Sequence, residues 1–251
     1  MFNRASVLGT FGNQLVPQYC NQPRNLDRHL FNETMMSGHA MAIRMVKPPK
    51  TVRAALDQGL IDMFGQAERD AYRFLPIGRD DAPMVPDPAR EGFPHQVYGV
   101  TLKDMAGGKG LIGAFLVGWR HMHLKAGNSS GLASMATDVY PGAKGRGHQF
   151  GGTNEGPFVA QTLEMLQKAA RMKKVRAGDF RPCLLRIPAL YVVPVWLISE
   201  DGPEADVIIP MDPCHRALKP GRAYSREQLH KCLQKPARES LEYHSRPQPE
   251  P

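Results

Sequence analysis

The chain has 251 residues, 42% of them hydrophobic and 22% charged, the balance of an ordinary globular protein. A mean hydropathy of −0.38 speaks against a membrane-embedded chain, and at this length a core needs neither disulfide nor metal to hold it. The 32 Lys and Arg against 24 Asp and Glu leave a net charge of +8, which favours contact with anions: nucleic acid, phospholipid headgroups or an acidic partner.

Residues 1–50 are rich in Gln, Asn, Pro and Arg and keep no apolar period. They read as a disordered or partner-docked extension, sensitive to protease, with a short Met-rich helix over residues 35–45 as the feature that would dock. Residues 51–82 read as a helical segment. Val52, Leu56, Leu60, Met63 and Phe64 recur at steps of three and four, Thr51 is placed as N-cap, and Gly59 and Gly65 suggest two short helices rather than one. Pro83, Pro86, Pro88 and Pro94 mark residues 83–95 as a linker.

Residues 96–235 are expected to form the core domain. Residues 97–102 read as a strand, and residues 111–117 as helix or strand. Residues 118–125 alternate, which sets Trp119, His121, His123 and Lys125 on one strand face. A return strand is expected over residues 132–140, then a mobile Gly-rich loop over residues 141–152. The clearest helix opens at Pro157, with Phe158, Val159, Thr162, Leu163, Met165, Leu166 and Ala169 as its apolar stripe and Gly178 as its stop. Residues 183–199 are β-branched and aromatic-rich and read as core, with Trp196 in a central strand and prolines forcing a bend. Residues 205–211 return as a second strand. Ser225 with Gln228 spells a capping box opening a helix that Pro236 ends, and residues 236–251 read as a disordered tail.

The cysteines, Cys20, Cys183, Cys214 and Cys232, are far apart and form no C-x-x-C pair, so reduced thiols in a reducing cytosol are expected. The longest apolar stretch, residues 187–198, is broken by Pro188 and Pro194 and falls short of the roughly 20 residues of a bilayer span. Residues 1–17 show no leader-like apolar run. A cytoplasmic location without a membrane span is the expectation.

His121 and His123 are two residues apart on a strand, where both imidazoles share a face and could hold a metal, with His95, Asp138 or His148 as third ligand. A half-exposed strand face is the preferred reading. The loop Lys144-Gly145-Arg146-Gly147-His148 precedes a helix start but departs from the P-loop pattern. Cys214 and His215 are adjacent, and side chains of neighbours on an extended chain diverge, so the pair reads as structural. Asp57, Asp62, Glu68 and Asp70 read as a solvated helix face. Residues 144–181 concentrate basic charge, with Lys144, Arg146, Lys168, Arg171, Lys173 and Lys174 as candidate anion- or partner-binding residues.

Gly118-Trp119-Arg120, Gly156-Pro157-Phe158, the run from Leu185 to Tyr191, Val195-Trp196-Leu197, Ile208-Ile209-Pro210 and Tyr224-Ser225 together resemble a family of bacterial proteins without an assigned activity. The resemblance covers residues 118–233 and implies an order of strand, strand, helix, strand, strand, helix, with no catalytic residue carried over.

The expected fold is α+β: a small antiparallel sheet with helices packed on one face, plus the N-terminal helical segment. No serine elbow, dinucleotide fingerprint or paired-carboxylate signature occurs, so the reading leans away from an enzyme and implies no cofactor. The leading function is a non-enzymatic accessory or assembly protein that binds another protein or itself. The alternatives are an anion- or nucleic-acid-binding module using the basic helix and Gly-rich loop, and a metal-dependent hydrolase using His121 and His123.

Overall fold

A computed structural model describes residues 43–69, 72–73, 94–125 and 135–245. In chain order the elements are α1 (Lys50–Arg69), β1 (Tyr72–Arg73), β2 (Pro94–Gly99), α2 (Leu102–Ala106), β3 (Phe115–Lys125), β4 (Met135–Pro141), β5 (His148–Asn154), α3 (Pro157–Ala170), α4 (Lys173–Arg176), β6 (Phe180–Arg186), β7 (Pro194–Ser199), β8 (Val207–Pro210) and α5 (Arg226–Ser245). The fold is α+β.

The sheet is larger than expected, and mixed rather than antiparallel. Its order is β5-β4-β3-β2-β6-β7-β8, with β1 paired to β3. β2 and β6 run parallel, because the hairpins β2–β3–β4–β5 and β6–β7–β8 are joined by the crossover helices α3 and α4. Parallel neighbours need such a connection. Consequently β2, β4, β6 and β8 all end on the same side of the molecule.

Helices cover both faces, a second correction. Leu184, Val195, Leu197, Val207 and Ile209 point one way, against Val159, Leu163, Leu166 and Ala169 of α3. Cys183, Leu185, Trp196, Ile198 and Ile208 point the other way, against α2 and against Leu229, Leu233 and Ala237 of α5. Strand alternation requires such a split: residues 183–199 are apolar at nearly every position, and a run apolar on both faces must be covered on both. On the α5 side, further along the sheet, α1 packs Val52, Leu56 and Leu60 on Trp119, Met135 and Val139.

Several local expectations change. α1 is one helix through Gly59, where a Cβ would strike the Phe150 ring, so this glycine lets the helix approach the sheet. Thr51 lies inside the first turn and not at its cap. Its hydroxyl instead sits 2.9 Å from His148 Nδ1. Residues 43–45 are not helical: Ile43 is buried and bridges Phe180, and Arg44 pairs with Asp179. The Gly-rich residues 141–152 form a tight turn and the strand β5. The capping box is present, Ser225 Oγ accepting from Gln228 N at 3.1 Å and Gln228 Oε1 from Ser225 N at 3.0 Å. Pro236, however, lies inside α5, which continues to Ser245. Residues 1–42, most of the Pro-rich stretch and residues 246–251 lie outside the described residues.

Trp196 is buried, but in β7, the strand next to the β8 edge. Its indole Nε1 donates to Asp206 Oδ2 at 2.6 Å, and Arg226 Nε of α5 donates to the same oxygen at 2.6 Å while stacking 5.0 Å over the ring. Asp206 Oδ1 accepts from Ser199 N at 2.9 Å. A buried carboxylate thus ties the start of α5 to the sheet, and its oxygens are satisfied by charged and neutral donors.

Candidate functional site

The proposed metal pair is buried rather than half-exposed. His121 and His123 share the α1 face of β3, with ring centroids 5.1 Å apart, and His123 Nε2 lies 2.8 Å from Thr137 Oγ1. Burial, then the charge of Arg53, pushes His121 down to about 4, and burial, then His121, pushes His123 well below its ordinary value. Both are neutral imidazoles near neutral pH. The candidate third ligands are elsewhere. His95 and Asp138 both pair in register with Arg120, which places them on the opposite face of the sheet. His148 is engaged with Thr51. Among the described residues no three His, Cys, Asp or Glu side chains converge on a point where a metal could sit.

On that opposite face lies a polar cluster that sequence reading missed. Asp138 accepts from Arg120 Nε at 2.8 Å and Nη2 at 3.0 Å, from Arg186 Nη2 at 2.8 Å, from Asn154 Nδ2 at 2.9 Å and from Tyr140 Oη at 3.3 Å. Burial raises the carboxyl's pKa. The hydrogen bond and charge of Arg120, followed by those of Arg186, outweigh it and hold Asp138 at about 2. The two arginines come from β3 and β6, 66 positions apart by their numbers, so only the sheet order brings them to one carboxylate. The sequence reading named Asp138 only as a candidate third metal ligand and not as the centre of this cluster.

The basic residues divide into two groups. Lys144 and Arg146 occupy the β4–β5 turn, at the β5 edge of the sheet. Lys168, Arg171, Lys173 and Lys174 lie on α3, on α4 and, for Arg171, between them, near the other edge. Lys168 Nζ lies beside Gly221, and Lys174 Nζ donates to the Asp206 carbonyl at 3.5 Å. The expected single patch is therefore two. From Lys168 to Arg176 the chain carries five cations and no acid. All five residues are exposed, while Ala169 and Val175 are fully buried and anchor the segment. Among the described residues, none of these five forms an ion pair.

Cys183 and Cys214 carry no reactive signature. Cys183, Cys214 and Cys232 are unpaired. Burial pushes the Cys183 thiol up to about 12 and raises that of Cys214, the reverse of what a nucleophile needs. His215 Nδ1 accepts from Ala217 N at 3.1 Å, consistent with the structural reading of the Cys214–His215 pair.

Solvent-exposed apolar side chains are a further surprise. Ile112, Phe115, Leu116 and Tyr191 all stand out at the end of the sheet where β2 and β6 finish. Sequence reading assigned residues 111–117 and 187–198 to packed elements. The available signal was the proline and turn chemistry around Tyr191, which marks a hairpin tip.

No family model matches the chain, and no curated protein or solved structure matches it. The resemblance drawn over residues 118–233 therefore rests on those residues alone. Among the described residues no helix is long and apolar enough to cross a membrane.

Proposed function

We propose that the protein is a non-enzymatic accessory protein that binds an acidic protein partner through the basic segment Lys168–Arg176. The observation that supports this is the run of five exposed cations without an acid, displayed on the last turn of α3, on the short α4 and between them, and anchored by Ala169 and Val175. Uncompensated charge held on a rigid frame speeds encounter with an opposite charge and loses little ordering entropy on binding. Nucleic acid is the competing polyanion. The metal-hydrolase reading has no geometric support, since His95 and Asp138 lie on the face opposite His121 and His123, and His148 is engaged with Thr51.

The test uses the full chain with Lys173→Glu and Lys174→Glu combined. Wild type should bind polyglutamate with an affinity that falls steeply with salt, and the double reversal should weaken binding and flatten that dependence. Thermal melting should be nearly unchanged, because exposed charges contribute little to stability. Unchanged binding by the reversed protein removes the segment from consideration. Stronger retention of a DNA duplex than of polyglutamate transfers the reading to nucleic acid.

A further inference from the structure

The end of the sheet formed by the last residues of β2, β4 and β6 is unusual in what it leaves in water. Ile112 is 84% and Tyr191 82% exposed, with Phe115 at 51% and Leu116 at 42%. Their positions follow from pairing. Phe115 pairs with Gly99, and Gly99 pairs with Arg186, so about 10 Å of sheet separates Phe115 from the β6 end that leads to Tyr191. A Cβ on Gly99 would meet the Phe115 ring at 3.0 Å, so the glycine seats that ring. Ile112 lies three residues before Phe115, within about 11 Å along the chain.

Tyr191 provides a second, independent observation. Its backbone is left-handed, φ 52° and ψ 43°, the described residues' one non-glycine case of positive φ. Glycine adopts that conformation freely and a bulky residue does not. The tip is nevertheless closed by Ile187 N to Val192 O at 2.9 Å, Val192 N to Ile187 O at 3.3 Å and Tyr191 N to Pro188 O at 3.0 Å, with Leu190 buried beneath it. The fold thus holds an aromatic ring out into solvent at a position where glycine would be less strained. Strain of this kind points to a role outside the fold.

Lys109 is exposed and only loosely paired, 3.9 Å from an Asp104 whose carboxylate is also held by Thr101 Oγ1 at 2.7 Å. Exposed Arg146 sits on the adjacent β4–β5 turn. The apolar tips are therefore flanked by a positive rim.

We propose that this end of the sheet docks peripherally on an anionic lipid bilayer, Ile112, Phe115 and Tyr191 entering the headgroup region and Lys109 and Arg146 meeting lipid phosphates. Side chains more than four-fifths exposed on separate turns protrude individually. Such individually protruding side chains suit a deformable surface. A tyrosine ring with its hydroxyl at the water boundary and flanking cations match the chemistry of that interface. This surface is distinct from the basic segment of residues 168–176.

The experiment is sedimentation of the full chain with phosphatidylcholine vesicles, with and without phosphatidylserine. Binding should require phosphatidylserine and weaken with salt. Ile112→Ser and Tyr191→Ser should each reduce it about tenfold, the loss expected when one buried apolar side chain is withdrawn, with melting unchanged for Ile112→Ser. Tyr191→Gly should lose binding while melting about 2–4 °C higher, a combination that damage to the fold does not produce. Lys235→Glu on α5 serves as the charge control and should leave binding intact. Failure to bind phosphatidylserine vesicles at low salt overturns the proposal. So does binding equal to wild type by both serine variants, or loss with Lys235→Glu equal to theirs, which would mean unspecific attraction by net charge.

Discussion

Replacing Asp138 by Asn keeps the side chain's shape and removes its charge, and the structure sets the cost. Asp138 receives five side-chain hydrogen bonds, three of them from guanidinium groups. Its side chain is 4% exposed and that of Arg120 6%. An amide nitrogen in this position must face a guanidinium donor, and Arg120 is left as a buried charge without a counterion. Breaking a buried pair in this way costs about 3–5 kcal/mol. The same cluster predicts acid sensitivity. The Asp138 pKa falls from 3.8 to about 2 on folding, and each unit is worth about 1.4 kcal/mol. A depressed folded pKa means stability that is present above the unfolded pKa and lost as pH falls through the folded one. Protonation should therefore remove about 2–2.5 kcal/mol between roughly pH 4 and pH 2. Urea unfolding followed by far-UV circular dichroism, at neutral pH and across the acid range, reads both quantities. Arg186→Met should cost less than Asp138→Asn, because Arg186 reaches solvent with 22% of its side chain. If Asp138→Asn unfolds within about 1 kcal/mol of wild type, or keeps the wild-type loss below pH 4, the cluster is not the electrostatic clamp described above.

His121 titrates in a separate window. Its pKa is lowered from 6.5 to about 4 by burial and then Arg53, so its contribution is complete above the unfolded value and declines as pH falls toward 4, by up to about 3 kcal/mol. His121→Gln should flatten the stability curve there whatever its effect at neutral pH, and an unaltered slope between those limits would refute the assignment. Trp196→Ala should cost about 3–5 kcal/mol in a thermal or urea melt, since it empties a buried site and also removes the indole donor to Asp206 and the edge contact with Tyr98, whose ring lies 5.4 Å away. A variant melting with wild type would remove Trp196 from the core.

The chain itself determined those elements whose information is local. The stripe of α3 from Val159 to Ala169 is buried where its period puts it, and Pro157 opens the helix. Ser225 and Gln228 make the capping box that their spacing spells. The alternation in β3 assigned His121 and His123 to one face correctly, since period-two geometry needs no knowledge of neighbours. Pro236 shows where a local rule fails: Leu233 and Ala237 are buried on either side of it, and packing against the sheet outweighs the lost hydrogen bond that makes proline a helix breaker. Tertiary structure alone decided the rest. The mixed strand order depends on where two hairpins join, and that contact, between β2 and β6, links residues more than 80 positions apart by number. It also decided that Asp138 meets Arg120 and Arg186, and that His95 and Asp138 turn away from the histidine pair. The exposure of Ile112 was hidden for the same reason. An apolar side chain has the same letter in a core and on a surface turn, and only the surrounding elements determine whether anything covers it.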